Sequence, residues 1–340
     1  MPEGHTIHRL AAALNELYGG QNLHTSSPQG RFADGASRLD GQVLLGGQAH
    51  GKHLFLPFGP RPDMPLDDAS VTWLRIHLGL YGSWTFDGDR EFTAPHAIGA
   101  PRRRVGERGE HALKGGGGSA LAGLKGGSVG VDPGEDTERT GADSRGCPAP
   151  DEWEPPEPRG AVRLRLLGRH GVADLTGPAA CELLDAEGVA AVRRRLGPDP
   201  LRPDADVEVF VAKARSRRKS IGEFLMDQAV ISGAGNIYRA ETLFRVGVSP
   251  FRAGNRISEE RLRAIWEDLR PLMEYGVATG FITTVDLDDV PDPLPPDDPE
   301  AGRWYVYHRA GRPCLRCGTP VAEREMAARR LFWCPSCQAR

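Results

Sequence analysis

The chain has no apolar run approaching the about 18 residues that a membrane-spanning helix needs, so no membrane span is expected. It shows no charged segment leading into an apolar one, so no secretory signal is expected. Hydrophobic residues are scarce at 39% of 340, while Gly (43) and Pro (28) are plentiful. That balance predicts stretches unable to bury enough apolar surface to order themselves. Cysteine is sparse too. Four of the six stand in metal-binding spacing, leaving Cys147 in a Gly-rich stretch and Cys181 as a core residue. A reducing cytoplasm is the natural setting for such thiols. The length calls for two or more domains.

An excess of positive charge is also missing, for the net charge is −3. Its distribution reverses the inference. Residues 87–160 carry 14 acids and 10 bases, and residues 286–300 carry seven acids and no base. Without these two segments the remainder is at +8. Residues 213–219 hold five bases in seven positions, and Arg193 to Arg195 add three more. From Arg303 to Arg340 there are eight Arg against two Glu. Clusters of this kind suit a phosphate backbone, although each alone also reads as a solvated surface.

Cys314-x2-Cys317 and Cys334-x2-Cys337 are separated by sixteen residues. Two CxxC pairs across a loop form a closed four-thiolate shell, which predicts one structural Zn2+. A catalytic zinc would keep a position open for water. His5 and His8 stand three apart, but no further ligands with suitable spacing accompany them.

Ile7, Leu10, Ala11, Leu14 and Leu17 fall on one face of a helix over 4–18. Strands are predicted at Gln42–Leu45, Lys52–Phe58, Val71–Gly79, Tyr81–Phe86, Ala161–Leu167 and Gly171–Asp174. Between them, 87–159 reads as a flexible insertion. Helices are predicted at Ala179–Asp185, Val189–Leu196, Val207–Ala214, Ser220–Gln228, Tyr238–Val246 and Arg261–Gly276. Arg303–Tyr307 and Leu331–Trp333 read as strands flanking the cysteine turns. The expected domains are 1–176 (β-rich), 177–285 (helical), an acidic Pro-rich linker at 286–302 and a zinc module at 303–340.

Several strings occur in a telling order: Met1-Pro2-Glu3-Gly4, Gly51-Lys52, His77-Leu78-Gly79, Gly233-Ala234-Gly235-Asn236-Ile237-Tyr238-Arg239-Ala240-Glu241 and the four cysteines. Together they resemble the formamidopyrimidine-DNA glycosylase/endonuclease VIII family. Gly4 and His5-Thr6-Ile7-His8-Arg9-Leu10 resemble its endonuclease VIII branch, particularly the actinobacterial members. The resemblance covers 1–86 and 160–340. It implies an α+β multidomain fold. An N-terminal two-layer β-sandwich with an N-terminal helix would precede a helical helix–two-turn–helix domain and a C-terminal four-cysteine zinc ribbon, with DNA in the cleft between the halves.

The chemistry can be argued from the residues. Methionine before proline is readily removed, exposing Pro2 as a secondary amine. An α-amine titrates at roughly 7.7–8.0, so much of it is a usable nucleophile near neutrality. Attack on a sugar C1′ gives an iminium ion, expels the base and acidifies the C2′ proton. The 3′ phosphate can then leave by β-elimination, and the 5′ phosphate by a second elimination. Glu3 is placed as the general acid for ring opening. By themselves Pro2 and Glu3 also read as a helix start, and the accompanying motifs favour the nucleophile.

The resemblance implies further roles. Lys52 would act in β-elimination through a phosphate near the scissile bond, and His77 would donate to phosphate or sugar. Leu80 and Tyr81 match the pair that fills the hole left by an everted base. Gly79 is a departure, for better-studied endonuclease VIII sequences carry Gln there. The Gly-Ala-Gly turn at 233–235 should offer backbone N–H groups to a phosphate, with Asn236 as an added donor. Arg195 matches an Arg that contacts DNA backbone. Arg329 stands five residues before Cys334, where the family's zinc-finger Arg lies and serves δ-elimination. Arg330 and Leu331 depart from the formamidopyrimidine branch. The expected protein is a monomeric, cytoplasmic, nucleoid-associated enzyme of base-excision repair. It would act on damaged double-stranded DNA carrying oxidised pyrimidines such as thymine glycol and 5-hydroxycytosine. Excision of 8-oxoguanine and formamidopyrimidine is the alternative substrate reading, and a non-catalytic DNA clamp is the alternative class.

Overall fold

Helix α1 (Gly4–Tyr18) forms where the apolar spacing predicts it. Ile7, Leu10, Leu14 and Tyr18 are each at most 1% exposed. The computed structural model describes residues 2–100, 153–216 and 218–339. Cys147, Arg102 to Arg104, Arg217 and most of the insertion expected over 87–159 lie outside the described residues. The chain forms two units. Pro2 and the described residues from Thr6 to Arg195 make the first; Glu3 to His5 and the described residues from Leu196 onward make the second. No helix among the described residues is long and apolar enough to cross a membrane.

After α1 the first unit runs β1 (His24–Ser26), α2 (Ala33–Leu39), β2 (Val43–Leu44), β3 (Gln48–His50), β4 (His53–Gly59), β5 (Thr72–His77) and β6 (Ser83–Gly88). There follow β7 (Ala97–Gly99), β8 (Val162–Leu167), β9 (Gly171–Thr176), β10 (Ala180–Leu184) and α3 (Ala186–Arg194). One sheet has the order β1-β8-β9-β6-β7; the other has β10-β5-β4-β2, with β3 also paired to β4. Alternation sorts the side chains. Leu54, Leu56, Leu74 and Ile76 turn inward to meet Trp84, Leu164 and Leu175. Phe55 and Trp73 turn outward under Val189 and Val192 of α3. Each fully buried Leu contributes roughly 2 kcal/mol of transfer free energy. The result is the two-layer sandwich that the resemblance implies.

Two boundaries differ from expectation. The helix predicted at Ala179–Asp185 is strand β10. Its residues complete the free edge of β5, from Ala180 opposite His77 to Leu184 opposite Trp73. For so short an apolar stretch the period does not separate helix from strand, and the ladder decides. Asp185 then caps α3, accepting from Gly188 N at 2.7 Å. The helical unit therefore begins at Leu196 and not after Gly177. The sandwich also continues past Phe86. Phe92, Ala94 and Ile98 lie in its core, and Ser83 pairs with Gly99.

The second unit holds α4 (Val207–Arg215), α5 (Ile221–Phe224), α6 (Asn236–Arg245), α7 (Glu259–Thr279) and a hairpin of β11 (Ala322–Met326) and β12 (Arg329–Trp333). The strand expected at Arg303–Tyr307 is absent, because its amides have another acceptor. Fully buried Glu241 of α6 accepts from Tyr305 N at 2.7 Å, Val306 N at 2.9 Å and Tyr307 N at 2.7 Å, and from the Thr284 hydroxyl. Burial pushes the Glu241 carboxyl up, and these four donors oppose it. Without that acceptor, three buried N–H groups would each lack a partner, at a cost on the order of 1–3 kcal/mol.

The acidic stretch is not a free linker. Asp286 pairs with Arg245 at 2.8 Å and with Arg316 at 3.4 Å. Asp289 meets Arg316 at 3.3 Å, and Asp298 meets buried Arg309 at 2.7 Å. Asp297 pairs with Arg312. The positive remainder counted from the sequence is thus overstated, since four of its arginines are matched by the acids that were set aside.

Candidate active site and zinc centre

The residues expected to carry chemistry divide between the units. Pro2, Lys52, His77, Leu80, Tyr81 and Arg195 lie in the first; Glu3, Asn236, Arg329 and the four cysteines lie in the second. Each group has its own geometry.

Glu3 is fully buried and lies against the start of α6. Its Oε1 accepts from Ile237 N at 3.0 Å, while Gly4 N donates to Gly233 O at 2.8 Å. The fit depends on glycine, since a Cβ at Gly235 would sit 2.3 Å from Glu3 Cδ. The N–H groups and dipole of a helix N-terminus favour a carboxylate there. Burial first, and then the Glu3 charge, push the Tyr238 hydroxyl up. The turn expected to offer N–H groups to a phosphate thus gives one of its neighbours, the Ile237 N–H, to the chain's own Glu3. Asn236, read as an added phosphate donor, is 3% exposed. Its Nδ2 donates to Arg330 O at 2.9 Å, and its Oδ1 accepts from Arg239. Arg239 gives only a faint signal in the sequence. Its signal is the spacing of three from Asn236, which puts two polar side chains on one face of a helix.

Arg329 opens β12 directly after the turn residues Ala327 and Ala328. Its neighbour Arg330 pairs with Glu323 at 2.5 Å. Among the described residues no carboxylate pairs with Arg329, whose guanidinium lies 3.5 Å from Ala328 O. Its cation is therefore available to an outside anion.

In the first unit, Gly51 and Lys52 form the two-residue turn joining β3 to β4, where His50 faces His53. Gly51 takes φ +58°, as the first position of a type II′ turn requires. Lys52 thus sits at a hairpin tip. His53 lies directly opposite His77, with ring centroids 4.9 Å apart. Arg75 donates to His53 Nδ1 from Nε at 3.2 Å and is itself paired with Glu182. Burial, and then His77, Arg75 and His50, push His53 down to about 3. Burial, and then Lys52 and Arg75, lower His77. Neither His53 nor Arg75 stood out in the sequence, since only the strand register brings them to His77.

This cluster makes stability depend on pH. Between about pH 6.5 and pH 3 an unfolded His53 holds a proton that the folded one does not. Stability should therefore fall as pH drops through that window, by up to about 1.4 kcal/mol per pH unit. Urea unfolding at stepped pH checks this, and a His53→Gln protein should show the shallower slope.

The remaining residues lie at the ends of strands and helices. Leu80 is half-buried, and Tyr81 is 61% exposed. Both stand in the turn closed by Gly82 N on Leu78 O at 2.9 Å. Gly79 has φ +68°, and a Cβ there would meet Ala179 Cβ at 2.7 Å. The backbone path thus accounts for glycine at this position. Arg195 is exposed at the C-terminus of α3. Arg193 beside it is held over the rings of Phe55 and Trp73.

The four Cys Sγ atoms lie within 4.8 Å of one another. The Cys314–Cys337 and Cys317–Cys334 pairs are 3.9 and 3.5 Å apart. A tetrahedron with Zn–S bonds of about 2.3 Å has edges near about 3.8 Å, so the donor set fits one zinc ion. Hydrogen bonds from Thr319 pull the Cys317 thiol down to about 6, whereas burial pushes the Cys314 and Cys337 thiols up, so a cation would be needed to hold all four as thiolates. With no position left for water, the zinc is structural.

Family models agree with this anatomy. Residues 196–287 match the formamidopyrimidine-DNA glycosylase H2TH domain, and residues 311–340 match the zinc finger found in FPG and IleRS. Endonuclease 8 1 of Mycobacterium tuberculosis is 37% identical over 338 residues, covering 99% of this chain and 100% of that protein. The chain belongs to the formamidopyrimidine-DNA glycosylase/endonuclease VIII family. Membership carries the enzyme class, a DNA glycosylase and AP lyase of base-excision repair. The formamidopyrimidine-DNA glycosylase of Xanthomonas campestris is 38% identical over 143 residues, which cover 42% of this chain and 52% of that one. Among solved structures, Lactococcus lactis Fpg in complex with DNA containing an abasic site has a TM-score of 0.64 at 18% identity. It covers 99% of this chain and 100% of its own, and at that identity the likeness shows the fold alone.

Proposed function

We propose that this family member removes oxidised pyrimidines from duplex DNA and cleaves the strand through a covalent intermediate on Pro2. The observation that carries the reading is the seat of Glu3. A buried carboxylate, fixed on the Ile237 N–H and packed against Gly235, directly follows Pro2, whose nitrogen is a secondary amine once Met1 is removed. The Pro2 nitrogen donates its electron pair to C1′, and the base leaves with the pair of the broken N-glycosidic bond. The Glu3 carboxylate takes up the proton that the Pro2 nitrogen sheds on bonding C1′, and returns it to O4′ as the sugar ring opens to the iminium ion. Loss of the C2′ proton then pushes out the 3′ phosphate. A second proton loss, from C4′, pushes out the 5′ phosphate. Water hydrolyses the iminium and frees the amine.

The other residues serve the DNA in this scheme. Lys52 and His77 hold the phosphate that leaves first, and Arg329 holds the one that leaves second. Leu80 and Tyr81 fill the gap of the everted base, consistent with a Tyr81 side chain left largely exposed. Arg195 contacts the backbone. Asn236 serves through the hairpin that it holds.

Pyrimidine lesions are favoured because kinship with Endonuclease 8 1 spans the whole chain, whereas the formamidopyrimidine-DNA glycosylase of Xanthomonas campestris matches over less than half of it. Untagged protein should be assayed on duplexes carrying thymine glycol, 5-hydroxycytosine, 8-oxoguanine or a formamidopyrimidine. The expected kcat/KM is at least about tenfold higher on the two pyrimidines. Equal or greater activity on 8-oxoguanine would reverse the substrate assignment.

A further inference from the structure

Arg239 is fully buried on α6, and the reaction scheme gives it no task. Its Nη1 donates to Met326 O at 3.1 Å. Its Nη2 donates to Arg330 O at 3.2 Å and to Asn236 Oδ1. These two carbonyls bracket one feature. Met326 ends β11, Ala327 and Ala328 make the turn, and Arg329 opens β12 opposite Met326. Both turn residues are left-handed, with φ +54° and +55°. A two-residue turn of this kind is type I′ and favours Asn-Gly; alanine is disfavoured at both positions. Such a conformation persists where its surroundings over-determine it. The forked guanidinium, gripping the carbonyls on either side, supplies that constraint. Burial lowers Arg239 to about 10, the Arg329 charge adds to that, and the Glu3 charge opposes it. The buried cation therefore senses both the proposed acid and the proposed phosphate ligand.

We infer that Arg239 is a positioning residue. It holds the Ala327–Ala328 turn so that Arg329 is presented for the second elimination, and it does so from the helix whose first turn seats Glu3. The inference rests on the role proposed above for Arg329, and its test separates the two.

Untagged, zinc-loaded Arg329→Ala, Arg239→Met and Arg239→Lys proteins are compared on an abasic-site duplex. The δ and β products are resolved on gels, and zinc content and Tm are recorded. Arg329→Ala should lose δ product and keep β product. Arg239→Met should lower the δ-to-β ratio by between about tenfold and 10²-fold, as expected for a displaced group. Lysine lacks the fork and should lower it too. Adding Ala327→Asn and Ala328→Gly to Arg239→Met supplies a turn that needs no clamp, and should restore most of the ratio. If Arg239→Met does not hold zinc, Arg239→Lys with and without the Asn-Gly turn is read in its place. Should Arg329→Ala keep δ product, the reading of Arg329 is wrong. Should Arg329→Ala lose it while both Arg239 variants keep the ratio, or should the Asn-Gly turn restore nothing, the positioning role is overturned.

Discussion

Blocking the Pro2 amine with an N-terminal extension is expected to abolish strand cleavage at an abasic site, by on the order of 10³-fold or more in single-turnover rate. An extension turns the secondary amine into an amide, whose nitrogen pair is delocalised and does not attack C1′. The rest of the scheme is untouched, so DNA affinity should change little. An α-amine near pKa 8 needs no special environment to act at neutral pH, whereas a lysine amine near about 10.4 does. Lys52 stands at the hairpin turn between β3 and β4. Cleavage that survives the extension would pass the nucleophile to a lysine, with Lys52 the first to replace.

Glu3→Gln should separate the two halves of the reaction. Glutamine keeps an oxygen to accept from Ile237 N and fills the same space against Gly235, so fold and zinc content should persist. What it lacks is a transferable carboxyl proton. Base excision from a lesion duplex should fall by about 10²–10⁴-fold, the usual worth of a general acid. Cleavage at a preformed abasic site should fall far less, because an aldehydic sugar already has its ring open part of the time. Parallel single-turnover assays on both substrates check this. Equal loss on both would mean that Glu3 acts throughout the lyase steps rather than at ring opening.

The parts legible in the sequence were those that local pattern dictates. Helix α1 follows from apolar spacing, and the thiolate cluster follows from two CxxC pairs. The strings around Pro2 and Asn236 were sufficient to suggest the family. Illegible features depend on pairing across the fold. Residues 180–184 are a strand because β5 offers an edge. Residues 303–307 are irregular because Glu241 takes their amides. The turn before α6 reads as an anion seat in the sequence, but only the fold shows that Glu3 is one anion held there. Charge counting failed for the same reason. The acids set aside as a linker are partners of Arg245, Arg309, Arg312 and Arg316, a fact no linear count reveals.

Borohydride trapping tests the central claim most directly. Untagged protein, with its initiator methionine removed, is incubated with an abasic-site duplex and reductant, and the adduct is digested and sequenced by mass spectrometry. The account predicts a covalent protein–DNA adduct with the sugar remnant on the Pro2 nitrogen, and no adduct when that nitrogen is blocked. DNA binding without any adduct, or an adduct on a lysine, would contradict it.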